Sequence, residues 1–316
     1  MIRTPRLEVT ALLMVIGLGA CGGDREGAGD SGLSGSIQAD GSSTVFPITE
    51  AVAEEFMAET GGDVRVTVAL SGTGGGFKRF CTGETAISNA SRPIEESERE
   101  VCAQNGVEVL ELEIAWDGLA VLVNPANSFV QCLTVEELKR IWNAGSTLRT
   151  WQDVRPEWPA QDIKLYGPGT NSGTFDYFTE VINGEGGATR ADYTASEDDN
   201  VLVQGVAGDA SALGYFGYAY LAENRGQLKA VAVDGGEGCV MPTPETIESG
   251  AYAPLSRPLY IYVNRAELQR PEVEAFVDFY LANTAELSEA VGYIPLGPRR
   301  TQAAREAFQQ AANATS

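Results

Sequence analysis

Two long β-prone runs, separated by a segment of alternating strand and helix patterns, constrain the fold of this chain most strongly. The first run covers residues 107–123 and the second covers residues 258–263, Pro-Leu-Tyr-Ile-Tyr-Val. Alternation of short apolar strands with amphipathic helices predicts an α/β architecture with mixed sheets flanked by helices. Because the chain crosses at both runs between its two parts, we predict two lobes, two hinge crossings and a cleft. Clefts between domains are preferred ligand sites.

The spacing of apolar residues predicts the positions of the elements and of the lobes. Besides the crossing runs, strands are expected at residues 37–40, 64–70, 85–88, 162–166 and 213–216. Helices are expected at residues 47–60, 77–81, 94–105, 133–142, 172–182, 199–206, 271–284 and 299–312. Lobe 1 is expected to comprise residues 36–116 and 258–316, and lobe 2 residues 117–257.

Three short runs of Ser, Thr and Gly lie at predicted helix starts, each after a predicted strand. These hydroxyl–glycine runs are Gly41–Thr44, Ser71–Gly76 and Gly169–Thr174. Backbone N–H groups and the positive end of the helix dipole at such a start favour a small oxyanion. A single run is more simply a helix cap or a tight turn. Three runs at the carboxyl ends of α/β strands predict one shared pocket.

The sequence offers no support for catalysis or for a bound cofactor. It contains no histidine, so Ser172 lacks the base that a serine nucleophile of the usual triad needs. Gly76-Phe77-Lys78-Arg79 lacks the Lys-Ser/Thr ending of a P-loop. Without histidine or a close pair of cysteines, a zinc site is not predicted either. We therefore predict a binding protein without enzyme activity, cofactor or metal.

The first 21 residues have the pattern of a secretory signal. Arg3 and Arg6 precede an apolar run at residues 9–18, and Leu18-Gly19-Ala20-Cys21 follows. This ending resembles a bacterial lipobox, which implies that Cys21 is lipidated; an unlipidated signal with a chance cysteine is the alternative. Residues 22–35, rich in Gly, Asp and Ser, predict a flexible tether. We expect an extracytoplasmic protein, periplasmic or on the cell surface, whose lipid anchor is its only contact with the membrane.

Four cysteines remain after Cys21, and export exposes them to oxidising conditions. Cys81, Cys102, Cys132 and Cys239 allow three pairings. A disulfide between the lobes would obstruct hinge closure. We therefore predict Cys81–Cys102 within lobe 1 and Cys132–Cys239 within lobe 2.

The net charge of −22 excludes nucleic acid and anionic membrane surfaces as partners. The same charge opposes the capture of an anion. Exposed charges, however, lose most of their reach beyond about 8–10 Å at ordinary salt concentrations. Dipoles inside a pocket therefore outweigh a distant acidic surface, and the pocket is expected to bind an anion despite the charge of the whole protein.

Several motifs resemble those of one family of binding proteins. They are Gly41-Ser42-Ser43-Thr44-Val45-Phe46-Pro47, Ser71-Gly72-Thr73-Gly74-Gly75-Gly76, Ala90-Ser91-Arg92-Pro93-Ile94, Ser172-Gly173-Thr174-Phe175 and the segments 199–206 and 212–220. In this order and spacing, from about residue 37 to 298, the chain resembles the PstS family, the phosphate-binding proteins of the bacterial high-affinity phosphate ABC transporter. The resemblance implies a type II periplasmic-binding-protein fold. It also implies a monomer that binds inorganic phosphate and delivers it to integral-membrane permease subunits.

The resemblance also implies a set of phosphate contacts from both lobes. From lobe 1 these contacts are Ser43, Thr44, Thr73 and Gly74. From lobe 2 they are Ser172, Gly173 and Thr174, to which position alone adds Asn171.

Two positions depart from the pattern of this family. Ser91 stands where its best-known members carry an Asp that accepts the proton of monohydrogen phosphate and so rejects sulfate. Pro168 stands where they carry an Arg that pairs with the charge of the ligand. We include Ser91 in the site and hypothesise that Arg92 supplies the cation and Asp117 the proton acceptor. A surface ion pair for Arg92 and a strand-end turn for Asp117 are the alternatives.

Three other functions stay open at this point. The same fold is compatible with another oxyanion, such as sulfate, molybdate or tungstate. An anchored hydrolase or phosphatase would use the region of Ser172, although no base or metal cluster is visible beside it. A surface lipoprotein that binds no small ligand is the third alternative.

Overall fold

The computed structural model describes residues 32–170 and 172–315. The predicted signal segment 1–21 with its Cys21, residues 22–31 of the predicted tether, and Asn171 lie outside the described residues. Within the described ranges, no helix is both long enough and apolar enough to cross a membrane.

The described chain alternates strands and helices along most of its length. The strands are β1 (Gly35–Gly41), β2 (Val64–Leu70), β3 (Ile87–Ala90), β4 (Val109–Val123), β5 (Cys132–Thr134), β6 (Lys164–Pro168), β7 (Thr194–Ser196), β8 (Ala212–Gly217), β9 (Lys229–Asp234), β10 (Cys239–Val240), β11 (Ser256–Asn264) and β12 (Ile294–Pro295). The helices are α1 (Phe46–Glu59), α2 (Thr73–Phe80), α3 (Glu96–Gln104), α4 (Val135–Trp142), α5 (Trp151–Val154), α6 (Gly173–Phe178), α7 (Asp199–Gly208), α8 (Tyr218–Glu223), α9 (Pro244–Glu248), α10 (Pro271–Ala290) and α11 (Pro298–Thr315). A π-helical turn (Thr179–Asn183) continues α6, and a 3-10 helix (Arg265–Gln269) precedes α10.

One mixed sheet runs through the structure in the order β2-β1-β3-β11-β4-β8-β6-β7. β1 is parallel to β2 and β3, and β6 is parallel to β7 and β8. The two crossing strands, β4 and β11, are antiparallel to each other and to their outer neighbours. The first two hydroxyl–glycine runs therefore follow parallel neighbours, β1 and β2, whose carboxyl ends lie at the same edge of the sheet.

Two large hydrophobic cores lie on either side of the crossing strands. The first contains Ile48 and Phe276, and the second contains Trp142. We call the parts built on these cores the first half and the second half. β4 belongs to both, because its Ile114 packs in the first core and its Leu119 in the second. The predicted α/β architecture is confirmed, whereas the lobe boundaries given above stay a prediction.

Most predicted elements are present with shifted ends, but two differ in kind. The predicted helix at 133–142 begins later, because Cys132–Thr134 pairs with β9, a strand that the sequence patterns missed. The Thr134 hydroxyl then caps α4 by accepting a hydrogen bond from the N–H of Glu137 (3.1 Å). The predicted helix at 172–182 changes from α-helix to π-helix at Thr179.

Both ends of the described chain pack on the first half. At the start, the carbonyl of Ser36 accepts a hydrogen bond from Arg270, next to α10. At the end, Phe308 and Ala311 of α11 are buried in the first core. The second half is thus carried by β4 and β11, with a further contact where Leu296 packs into its core.

Each half contains one disulfide. Cys81–Cys102 joins the end of α2 to α3 in the first half. Cys132–Cys239 joins β5 to β10 in the second half. The predicted pairing is confirmed, and no covalent link between these cysteines restrains the two halves relative to each other.

Removing the two disulfides is expected to lower stability unequally. They close loops of 21 and 107 residues, for which loop-closure entropy predicts losses of about 3 and about 5 kcal/mol respectively. Replacing each cysteine pair by alanines and measuring the free energy of unfolding in denaturant tests this order. A larger loss for the Cys81–Cys102 pair would contradict it.

Candidate functional site

A cavity of about 420 Å³ opens between the two halves. The first half lines it with residues after β1 and β3 and at the start of α2. The second half lines it with α6 and the π-helical turn, and the crossing strand β11 adds two residues. The lining residues are Ser42, Ser43, Thr44, Gly72, Thr73, Gly74, Ser91, Arg92, Pro93, Gly173, Asp176, Tyr177, Glu180, Val181, Arg257 and Pro258.

The turn between β1 and α1 presents Ser43 and Thr44 to the cavity because Gly41 allows a close backbone approach. Gly41 has a φ of +139°, and a Cβ on it would lie 2.2 Å from the carbonyl oxygen of Asn89. The Ser42 hydroxyl accepts a hydrogen bond from the N–H of Thr44 (3.2 Å). Ser42 therefore stabilises the turn, and the next two residues, Ser43 and Thr44, line the cavity.

Helix α2 packs directly on β1, with its first turn at the cavity. A Cβ on Gly76 would lie 2.6 Å from the Cα of Gly41, so this close contact requires glycine. Gly72 precedes the helix without a side-chain cap. The first-turn N–H groups of a helix lack intrahelical partners, and Thr73 and Gly74 carry such groups at the cavity wall.

The segment after β3 is held by partners within the first half. The Thr73 and Ser91 hydroxyls lie 3.2 Å apart, and Thr73 Oγ1 also accepts the Ser91 N–H. The Arg92 guanidinium donates to both carboxylate oxygens of Glu98 at 2.8 Å and lies 5.7 Å from the Phe77 ring centroid. The hydrogen bonds to Glu98 raise the pKa of Arg92. Arg92 therefore lines the cavity as one member of an ion pair.

Arg257 is the cation most firmly directed into the site, and sequence patterns did not identify it. The register of β4 and β11 places it opposite Asp117, and its Nε and Nη2 both lie 3.1 Å from Asp117 Oδ2. Its Nη2 also donates to Thr44 Oγ1 at 2.7 Å. Its guanidinium carbon lies 3.6 Å from the ring centroid of Tyr177 in the second half. One side chain thus contacts both halves and a crossing strand.

Asp117 lies behind Arg257 and is not among the residues that line the cavity. Its side chain is 6% exposed. Burial raises the pKa of Asp117, while Arg257 and the Gly118 N–H oppose this rise. In this position the carboxylate orients Arg257. The signal that could have revealed the pair is the position of Arg257, one residue before the predicted strand at 258–263.

The start of α6 lies close to the first half at Gly173. A Cβ there would lie 2.9 Å from Thr44 Oγ1. Ser172 caps the helix by accepting a hydrogen bond from the N–H of Thr174 (3.2 Å), and neither of these two residues lines the cavity. Asp176, two residues further along, does line it.

The sequence-predicted site residues thus fall into three groups. Those that line the cavity are Ser43, Thr44, Thr73, Gly74, Ser91, Arg92 and Gly173. Those that lie beside it are Asp117, Ser172 and Thr174, and Asn171 is outside the described residues. Cavity residues that the sequence analysis did not identify include Arg257, Asp176, Tyr177 and Glu180. In the described part of the chain, no three His, Cys, Asp or Glu side chains are grouped to hold a metal ion.

An α/β chain with two cores, crossing strands and a polar cavity between its halves has the architecture of a ligand-binding protein. A family model described as the PBP superfamily domain matches residues 26–284. The chain belongs to this family, and its fold is the type II periplasmic-binding fold.

The chain is similar to two groups of curated relatives over most of its length. It is 51% identical over 297 residues to the protein SphX of Synechocystis sp., which covers 93% of this chain and 86% of that protein. It is 42% identical over 290 residues to the phosphate-binding protein PstS of Staphylococcus saprophyticus, which covers 91% of this chain and 88% of that protein.

Two solved structures that are similar to this chain are also described as those of phosphate-binding or phosphate-transport proteins. A possible phosphate-binding protein from Planctomyces limnophilus superimposes with a TM-score of 0.84 at 51% identity, covering 88% of this chain and 99% of that one. A putative phosphate ABC transporter substrate-binding protein from Clostridium perfringens, solved with bound phosphate, gives a TM-score of 0.56 at 26% identity. It covers 83% of this chain and all of that one.

The Asp117–Arg257 pair is expected to stabilise the fold far more than an exposed ion pair does. Asp117→Ala leaves the guanidinium of Arg257, whose side chain is only 12% exposed, without its carboxylate, which costs about 3–5 kcal/mol. The matched control is Arg149→Ala, which removes a pair whose arginine is 74% exposed and should cost about 0–1 kcal/mol. Free energies of unfolding in denaturant measure both. Similar small losses for the two variants would contradict the role of the pair.

Proposed function

We propose that this protein is an extracytoplasmic receptor that captures inorganic phosphate in the cavity between its halves and delivers it to an ABC permease. One observation carries the proposal: Arg257, held from behind by Asp117, meets Thr44 at a cavity wall made of hydroxyls and helix-start N–H groups. The relatives named PstS and the related structure solved with phosphate support the choice of ligand.

The hydrogen-bond pattern leaves donors for an oxyanion. Arg257 donates to Thr44 Oγ1, so the hydrogen of the Thr44 hydroxyl is left for another acceptor. A guanidinium presents five N–H donors in a planar fork that suits phosphate oxygens. We assign the role of ligand cation to Arg257 and a secondary role to Arg92, whose fork is already occupied by Glu98.

Capture is coupled to closure because the donors come from both halves. Gly173 of the second half meets Thr44 of the first half, and Arg257 of a crossing strand lies between them and Tyr177. A ligand that contacts both halves binds the closed arrangement more tightly than the open one, and so shifts the population toward it. The predicted lobes 36–116 with 258–316 and 117–257 are the parts that we expect to move.

The role is that of a receptor and not of an enzyme. The sequence contains no histidine to act as a base, and the Ser42, Thr73 and Ser91 hydroxyls of the cavity are engaged in turns and pairs of their own. We further propose that the protein acts as a monomer held at the membrane by a lipid on Cys21.

Calorimetric titration of the mature protein with phosphate, sulfate and molybdate tests the proposed function. We expect phosphate to bind with the highest affinity of the three. Failure to bind phosphate, or tighter binding of sulfate or molybdate, would reject it. A folded protein that binds none of the three would support the alternative of a surface lipoprotein.

Arg257→Lys keeps the charge beside Asp117 but removes the planar fork of donors. We expect phosphate affinity to fall about 10- to 100-fold, because a hydrogen bond to a charged group contributes about 1.5–3 kcal/mol. Arg149→Lys, in an exposed pair away from the cavity, is the matched control and should leave the affinity unchanged. An unchanged affinity in Arg257→Lys would remove this residue from the site.

Gly173→Ala places a methyl group where Thr44 Oγ1 lies 2.9 Å away. Since the halves then cannot approach as closely, we expect phosphate affinity to fall at least about tenfold with little change in stability. Gly186→Ala, where a Cβ meets nothing within 4 Å, is the control. Equal affinities of the two variants would show that closure does not depend on this contact.

A further inference from the structure

The charges around the cavity are unusual for a site that binds an anion. The charged side chains that line it are Arg92, Arg257, Asp176 and Glu180. Each arginine is already paired with another carboxylate, Arg92 with Glu98 and Arg257 with Asp117. Glu95 also lies 3.5 Å from Arg92, so two guanidinium groups face five carboxylates.

Asp176 and Glu180 are free to act on a ligand. They lie four residues apart on α6 and its π-helical continuation, so they share one helical face. Both are exposed, and neither forms an ion pair with a described residue. Arg257 acts on Asp176 and Arg92 acts on Glu180 only through longer-range attraction.

The surroundings of Asp176 favour a proton shared between its carboxylate and a ligand oxygen. Desolvation and the charge of Glu180 raise the pKa of Asp176, the charge of Arg257 lowers it, and the net effect is a rise. The other titratable groups that face this pair are Tyr177 on the same helix, Tyr215 on β8, and Arg92 with Glu98 across the cavity. The one cation among them, Arg92, is already paired with Glu98 and acts on Glu180 only through longer-range attraction.

We propose that the site takes its anion in the doubly protonated form H₂PO₄⁻, with the carboxylates of Asp176 and Glu180 accepting hydrogen bonds from its two O–H groups. This inference rests on the proposed function. No bond is made or broken, because the ligand keeps both protons and gives each a carboxylate acceptor. A ligand without protons, such as sulfate, would place unpaired negative charge against both carboxylates.

Neither Ser91, at the position of the family's proton acceptor, nor Asp117, the residue hypothesised to replace it, presents a free carboxylate to the cavity. The Ser91 hydroxyl is paired with Thr73, and Asp117 lies behind Arg257. A Ser hydroxyl can also donate, so it does not discriminate against a deprotonated oxygen. A carboxylate only accepts, and it therefore selects for ligand protons.

The test measures phosphate affinity by calorimetry at pH values below and above neutrality. We expect affinity for total phosphate to fall about tenfold per pH unit once the pH exceeds the second ionisation of phosphate, because the H₂PO₄⁻ fraction falls in proportion. In the variant Asp176→Asn/Glu180→Gln we expect this dependence to disappear. Sulfate affinity should rise at least about tenfold in the same variant.

Controls separate this inference from general effects of charge and from the proposed function. Glu54→Gln removes an exposed carboxylate from α1 that does not line the cavity, and should keep the pH dependence of the wild type. Phosphate binding that is equally tight on both sides of neutrality would overturn the inference and leave the proposed function standing. A variant that keeps the full pH dependence would overturn it as well. Absence of phosphate binding at every pH would reject both.

Discussion

The buried ion pair between Asp117 and Arg257 is the interaction on which the site depends. It joins the two crossing strands at the point where the chain passes from one half to the other. Removing two charges from water is costly, and the pair offsets this cost only because Thr44 and the Gly118 N–H complete its hydrogen bonds. The same contacts aim the guanidinium into the cavity. The fold and the recognition of an anion therefore share one set of interactions.

Glycines determine how closely the rest of the site can be built around that pair. Gly76 and Gly41 let α2 rest on β1, and Gly173 lets α6 approach Thr44. At each of these positions a single methyl group would contact backbone or a buried hydroxyl. These glycines of the hydroxyl–glycine runs are thus required for close packing, and the charges that define the ligand come from elsewhere in the structure.

The α/β architecture could be predicted because strand alternation and helix spacing are local properties. Both disulfides followed from the argument that a bridge between the lobes would obstruct closure, and the seven cavity residues followed from the resemblance to the PstS family and the departures from its pattern. Arg257 could not be found in this way. Its partners Asp117 and Thr44 lie 140 and 213 residues away in sequence. The register of β4 and β11 brings Asp117 to Arg257, and the tertiary packing of the turn between β1 and α1 brings Thr44. Asp176 and Glu180 have a helical spacing that is visible in the sequence. Which side of the helix faces the cavity depends on the packing of α6, which the sequence does not specify.

The attachment of both ends of the described chain to the first half has a mechanical consequence. Ser36 is bonded beside α10, and α11 returns to the same core. A load applied between the two ends is therefore carried through the first half, and the path of force bypasses the second. The closure proposed above would therefore move the second half relative to both ends of the described chain, with Leu296 at the contact between them. In such a closure, a reporter group at Ser36 or at the end of α11 would keep its place in the first half, whereas one placed on α6 would record the movement of the second half.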